Sequence, residues 1–159
     1  MYLIVIELKG SEKLPVLKKA RLQVNSLTPL DIVLSWFEQL RQPQIPKSVW
    51  IRCQLALAEG FTNAVRHAHK GKAPELPIDI EIAVFAESLE IKIWDRGDPF
   101  DLEQKIKDMS EKADIEASGG RGLKLMKDIA DSLSYSTEPD SRNCLSIVKN
   151  YCPLAIEPG

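Results

Sequence analysis

Residues 55–69, LALAEGFTNAVRHAH, constrain the fold more than any other stretch of the chain. Leu55, Leu57, Ala58, Phe61, Ala64, Val65 and Ala68 supply apolar contact on several sides, which predicts a helix set into a core rather than one lying on a surface. Glu59, Asn63 and His67 recur within it at every fourth position. At about 100° per residue they fall along one edge, within roughly 80° of one another. A carboxylate and an amide one turn apart in apolar surroundings are costly unless something pairs with them. An interhelical hydrogen bond would meet that need, and so would a bound metal–nucleotide complex.

The remaining chain supplies a sheet and further helices. With 159 residues, one domain around one core is expected. Residues 2–8 are an apolar, β-rich run and residues 9–17 read as a connector, so residues 1–17 are expected to be an N-terminal extension, such as an added strand. Residues 22–24 begin a further strand. Thr28 as N-cap, Pro29 at the first position and Asp31 in the first turn predict a helix start. Ile32, Val33, Trp36, Phe37 and Leu40 follow at helical spacing up to Gln42-Pro43. A second start at Pro46-Lys47-Ser48 leads through Val49, Cys53 and Leu57 into the Glu59 row, and Lys70-Gly71 ends that helix. Ile78, Ile80, Ile82 and Val84 alternate with polar or small residues. Leu89, Ile91 and Ile93 do the same after a turn at Glu87-Ser88. Such period-two patterning belongs to a sheet buried on one face. Residues 101–118 are polar, with weak helical periodicity at Leu102, Ile106 and Met109, and read as a mobile loop with one helical segment. A helix opens at Gly119-Gly120-Arg121-Gly122, and a closing hairpin spans residues 133–149. The expected domain is 18–152, with a loose tail at 153–159.

Composition excludes several function classes. The net charge of −2 gives no electrostatic footprint for nucleic acid or an anionic membrane. No apolar run reaches 18 residues, and MYLIVIELKG lacks a basic region, so the expected location is the cytoplasm. Three cysteines and two histidines have no metal-like spacing.

Two more segments carry chemistry. Asp95-Arg96-Gly97-Asp98-Pro99-Phe100 follows directly on a hydrophobic strand. A carboxylate there is placed to accept a hydrogen bond from an exocyclic amine, and Gly97 would let a flat base lie against the backbone. Gly119-Gly120-Arg121-Gly122-Leu123 at a helix start offers unpaired N–H groups and the positive end of the helix dipole to an anion.

The order and spacing of the three segments resemble the GHKL (Bergerat-fold) ATP-binding family. Glu59-x-x-x-Asn63-Ala64-x-x-His67 resembles its N box, Asp95-x-Gly97-x-Pro99-Phe100 its first glycine box, and Gly120-x-Gly122-Leu123-x-Leu125 its second. Within the family the pattern is most similar to the bacterial anti-sigma-factor serine/threonine kinases. The resemblance covers roughly residues 20–150. It implies a two-layer α/β sandwich of the α+β type, a mixed, mainly antiparallel sheet with helices on one face. It implies ATP and Mg²⁺ as cofactors, with Asn63 on the metal and Glu59 as general base toward an attacking hydroxyl. Asp95 would recognise the adenine amine beside Gly97, and Gly120, Gly122 and Leu123 would contact phosphates. Arg121 and Lys124 would add positive charge there. His67 also matches a family position, and residues 101–119 match the ATP lid. Two departures stand out. Asn143-Cys144 replaces the Gly-Thr common in the last strand, and Lys124 replaces a small or apolar residue.

The implied function is an ATP-dependent serine/threonine protein kinase and anti-sigma factor of a partner-switching system. Its partners would be a small anti-sigma-factor antagonist as serine substrate, a sigma factor or equivalent regulator, and a second copy in a homodimer. The alternative is a non-catalytic, ATP-gated adaptor. A histidine-kinase catalytic domain fits less well, because no phosphoacceptor histidine in a long helical hairpin lies upstream.

Overall fold

A computed structural model describes residues 15–111 and 120–156. Ile78, Ile80 and Ile82 in β2 (Ile78–Phe85), Leu89, Ile91 and Ile93 in β3 (Ser88–Asp95), and Leu145 and Ile147 in β5 (Asn143–Asn150) share one buried sheet face. Each such side chain contributes about 1.5–3 kcal/mol relative to exposure, so this face is the main driving force of the fold. With β1 (Val16–Val24) and β4 (Ser132–Thr137) at the edges, the sheet order is β1-β2-β3-β5-β4. Every described pairing is antiparallel. Helices α1 (Leu30–Glu38), α2 (Lys47–Asn63) and α4 (Gly120–Ile129) cover the apolar face, completing the expected two layers. Phe37 and Trp50 stack at 4.1 Å between α1 and α2, and the Trp50 indole N–H donates to Glu38 Oε2 at 2.8 Å. The other sheet face is polar. On it Glu81 is buried between Lys19 and Arg21.

Several expectations are corrected. Strand β1 starts at Val16, six residues before the start visible in sequence. Its Lys19 and Arg21 sit on the polar face and mask the alternation. Thr28 does not cap α1; its hydroxyl accepts from the Asn25 N–H at 3.1 Å, and the helix begins behind an extended Pro29. Ile32 and Leu55 point outward, 52% and 46% exposed, so each helix keeps a solvent side. The helix carrying the Glu59 row is not α-helical to its end. It continues past Asn63 as a π segment, Ala64–Ala68, closed by the His69 N–H donating to the Ala64 carbonyl at 2.9 Å. Of the polar 101–118 stretch, Leu102–Glu111 forms α3, with Leu102 buried and Ile106 packed on the core. The expected strand at residues 2–8, the side chain of Met109, Gly119 and the rest of the lid lie outside the described residues. In the tail, the Leu154 N–H donates to the Gln44 carbonyl at 2.7 Å, while side chains 152–156 are exposed.

Candidate functional site

Helix α2 runs alongside α4, and a cleft of about 250 Å³ opens where they meet. Glu59, Thr62 and Asn63 of α2, Arg66 and His67 of the π segment, and Arg121 and Gly122 of α4 line it. Glu59 presses on α4 closely. A Cβ on Gly122 would lie 2.5 Å from Glu59 Oε2, so the glycine makes room for the carboxylate. Gly122 is the third residue of α4, and the carboxylate therefore rests at the positive end of that helix. A carboxylate, an amide and two guanidinium groups around one cleft can hold a cation, an anion, or the two together. His67 is exposed at the rim. Its pKa is lowered by partial desolvation first, then by the charges of Lys105, Arg66 and Lys70.

The Asp95 turn sits beside the end of the π segment, outside the lining of this cleft. Asp95 is 4% exposed. Its Oδ1 accepts from the Gly97 N–H and from Asn143 Nδ2, each at 2.9 Å, and the Tyr135 hydroxyl approaches Oδ2 at 3.4 Å. Asn143 Nδ2 also donates to the Gly97 carbonyl at 2.8 Å, and the Thr137 hydroxyl donates to Asn143 Oδ1 at 3.1 Å. From the other side His69 grips the turn, its Nε2 accepting the Arg96 N–H at 2.9 Å. The Arg96 guanidinium reaches the Pro77 carbonyl and Asp79. Gly97 is packed so that a Cβ would lie 2.0 Å from the Ala68 carbonyl oxygen. The Cβ side of Gly97 is thus filled by the Ala68 backbone.

The structure therefore gathers Glu59, Asn63, His67, Arg121 and Gly122 into one cleft and places Asp95 and Gly97 in a neighbouring turn. Gly120 is the first residue of α4, and the Leu123 side chain belongs to the core, 3% exposed. Sequence reasoning missed five residues. Thr62 and Arg66 sit in the cleft, while His69, Tyr135 and Asn143 hold the Asp95 turn. Asn143 was visible only as a departure from Gly-Thr, although its register opposite Asp95 makes the contact direct. His69 carried no signal, because a straight α-helix would not bring it to Arg96.

His69 gives the turn a pH dependence. Burial lowers its pKa below the usual 6.5; Asp95 opposes this shift, and Lys72 and Arg96 add to it. In the window between that lowered value and 6.5 the unfolded chain holds more protons, so stability rises with pH there and is lost on acidification. Protonated Nε2 also cannot accept the Arg96 N–H. Urea midpoints are expected to fall from pH 7.5 to pH 5.5, and His69→Gln should flatten part of that slope. An unchanged slope in the variant would remove His69 from the account.

Fold and site together define a class: the chain belongs to the histidine kinase-like ATPase domain family, whose model matches residues 25–149. This bears out the resemblance read from the motifs. Among curated relatives, the chain is 34% identical over 85 residues to serine-protein kinase RsbW of Bacillus licheniformis, covering 50% of this chain and 53% of that protein. It is 36% identical over 85 residues to RsbW of Bacillus subtilis, covering 50% and 52%. For RsbW of Listeria monocytogenes the identity is 33% over 85 residues, covering 50% and 54%. The chain spans about half the length of the curated relatives it matches. A chain of the SiaB–SiaC complex from Pseudomonas aeruginosa shares the fold, with a TM-score of 0.61 and 16% identity over 84% of this chain and 89% of that one. Among the described residues, no helix is long and apolar enough to cross a membrane.

Proposed function

We propose that this protein is an ATP-dependent serine/threonine protein kinase and anti-sigma factor of a bacterial partner-switching system, acting in the cytoplasm. One observation carries the reading. Glu59 and Asn63 share a cleft with Arg66 and Arg121, and the Glu59 carboxylate rests against the first turn of α4. Family membership and the RsbW relatives support it.

The residues present fit a magnesium-bound triphosphate. Asn63 offers an amide oxygen to the metal, and Arg66, Arg121 and the N–H groups at the start of α4, from Gly120 through Leu123, offer donors to phosphate. At about 250 Å³ the cleft is smaller than the roughly 300–1,000 Å³ of pockets that enclose whole ligands. It suits the phosphate end, with the base beyond it toward Asp95 and Gly97. Bound Mg-ATP would supply the phosphoryl group and neutralise charge developing on it. Glu59 would take the proton of the attacking serine hydroxyl, and Asn63, one helical turn along α2, would help to hold the metal. Arg66 and Arg121 offset the phosphate charge. His67, exposed at the rim and neutral above its lowered pKa, would border the phosphates without adding a cation. The substrate in this reading is an anti-sigma-factor antagonist, the second partner a sigma factor or equivalent regulator, and the working form a homodimer.

The test is incubation with Mg-ATP and a candidate antagonist, reading phosphoserine on the antagonist. Transfer supports the kinase. Nucleotide binding without transfer to any partner supports the ATP-gated adaptor instead. Asn63→Ala is expected to lose most Mg-ATP affinity, by about tenfold or more, judged from the effect of deleting a hydrogen-bonding group at a charged site. Equal affinity measured by calorimetry would count against the site.

A further inference from the structure

The two oxygens of Asp95 are held in different ways. Oδ1 is saturated by two donors of good length, the Gly97 N–H and Asn143 Nδ2. Asn143 is itself fixed. Its amide nitrogen donates to Asp95 and to the Gly97 carbonyl, and its carbonyl oxygen accepts from Thr137. It is 1% exposed, and its amide cannot turn over without placing an oxygen against the Asp95 carboxylate. Among the described residues, Oδ2 has only the Tyr135 hydroxyl, at 3.4 Å, a length at which a hydrogen bond to a charged acceptor is weak. Tyr135 projects from edge strand β4, is partly exposed, and stacks on Phe100 with ring centroids 4.2 Å apart. Burial first, and then the neighbouring Asp95, push the Tyr135 phenol well above its ordinary pKa, so it remains a donor.

Resting on the reading of the site as adenine-binding, the geometry points to a division of labour: Asn143 locks Oδ1 so that Oδ2 alone reads the base, and the Tyr135 hydroxyl is a placeholder that the base amine displaces. Asn143 and Tyr135 are positioning residues in this scheme. A carboxylate held by donors on one oxygen presents only an acceptor on the other. It therefore favours a purine with a 6-amino group and disfavours one with a 6-oxo group. The placeholder keeps the buried acceptor partnered in the free protein, where an orphan would be costly. Binding must first release it, which weakens affinity by the strength of that contact.

Calorimetry with ADP and IDP, which differ at the purine 6-position, tests this. Tyr135→Phe keeps the stack on Phe100 and removes the hydroxyl. It is expected to bind ADP about two- to threefold more tightly, with a lower urea midpoint for the free protein and no comparable gain for IDP. Asn143→Leu is expected to narrow the preference for ADP over IDP, and Asn143→Thr, which restores a donor, to recover part of it. If Tyr135→Phe binds ADP equally or more weakly while the unaltered protein binds it well, the placeholder is refuted and the nucleotide reading survives. If the unaltered protein binds neither nucleotide, both fall together.

Discussion

Replacing Glu59 with Gln is expected to lower phosphoryl transfer to a serine substrate by about 10²–10⁴-fold, the usual contribution of a positioned general base. Nucleotide binding should change far less. Glutamine keeps the length and a hydrogen-bonding end, and it meets Gly122 as the carboxylate does, where a Cβ on Gly122 would come within 2.5 Å of the side-chain oxygen. What it lacks is a place for the proton leaving the hydroxyl. The effect therefore belongs in kcat rather than in the KM for ATP. Single-turnover transfer, alongside ADP affinity by calorimetry, separates the two. Transfer at the unaltered rate would show that the carboxylate takes no proton, and the kinase reading would lose its chemistry.

The second large effect is on stability. Gly97→Ala places a Cβ 2.0 Å from the Ala68 carbonyl oxygen, 2.5 Å from its carbon and 2.7 Å from its Cα. All three are backbone atoms, so no rotamer change relieves the overlap. Either the Asp95 turn or the end of the π segment must move. Moving either one breaks the bond from the Arg96 N–H to His69 or those of Asn143 to Asp95 and the Gly97 carbonyl. The expected loss is about 3 kcal/mol or more, at or above the upper end for overpacking, read from the urea midpoint. ADP affinity should fall with it. A loss within about 0.5 kcal/mol, the range of an ordinary surface substitution, would mean that the turn and the π segment are not packed together as described.

The sheet was legible because Ile78 to Val84 and Leu89 to Ile93 alternate cleanly, and one buried face leaves little choice of partner. The cleft was legible because Glu59 and Asn63 sit one α-helical turn apart, and Gly122 opens the helix that meets them. Legibility failed where tertiary contact overrides local pattern. The change from α to π winding after Asn63 has no sequence mark, yet it carries the Ala68 backbone onto Gly97 and His69 onto Arg96. Such π turns are rare and concentrate at functional sites. Gly97 was read only for what a ligand needs, and the structure adds a packing reason beside that one. Asn143 and Tyr135 were out of reach for a different reason. Their role depends on strand register, and register between segments 48 and 40 residues apart is set by the whole sheet. The thiols of Cys53 and Cys144, unassigned in sequence, are raised by burial to about 12 and about 11, consistent with packing rather than reactivity.

The central claim is that the Glu59–Asn63 helix, the Asp95 turn and the start of α4 serve one magnesium-bound nucleotide. An amide-resolved NMR titration with Mg-ATP tests it most directly. The account predicts that the amides of Asn63, Gly97 and Gly122 shift together along one binding isotherm. Shifts confined to one segment, separate isotherms for the three, or no shift at all in a folded sample would contradict it.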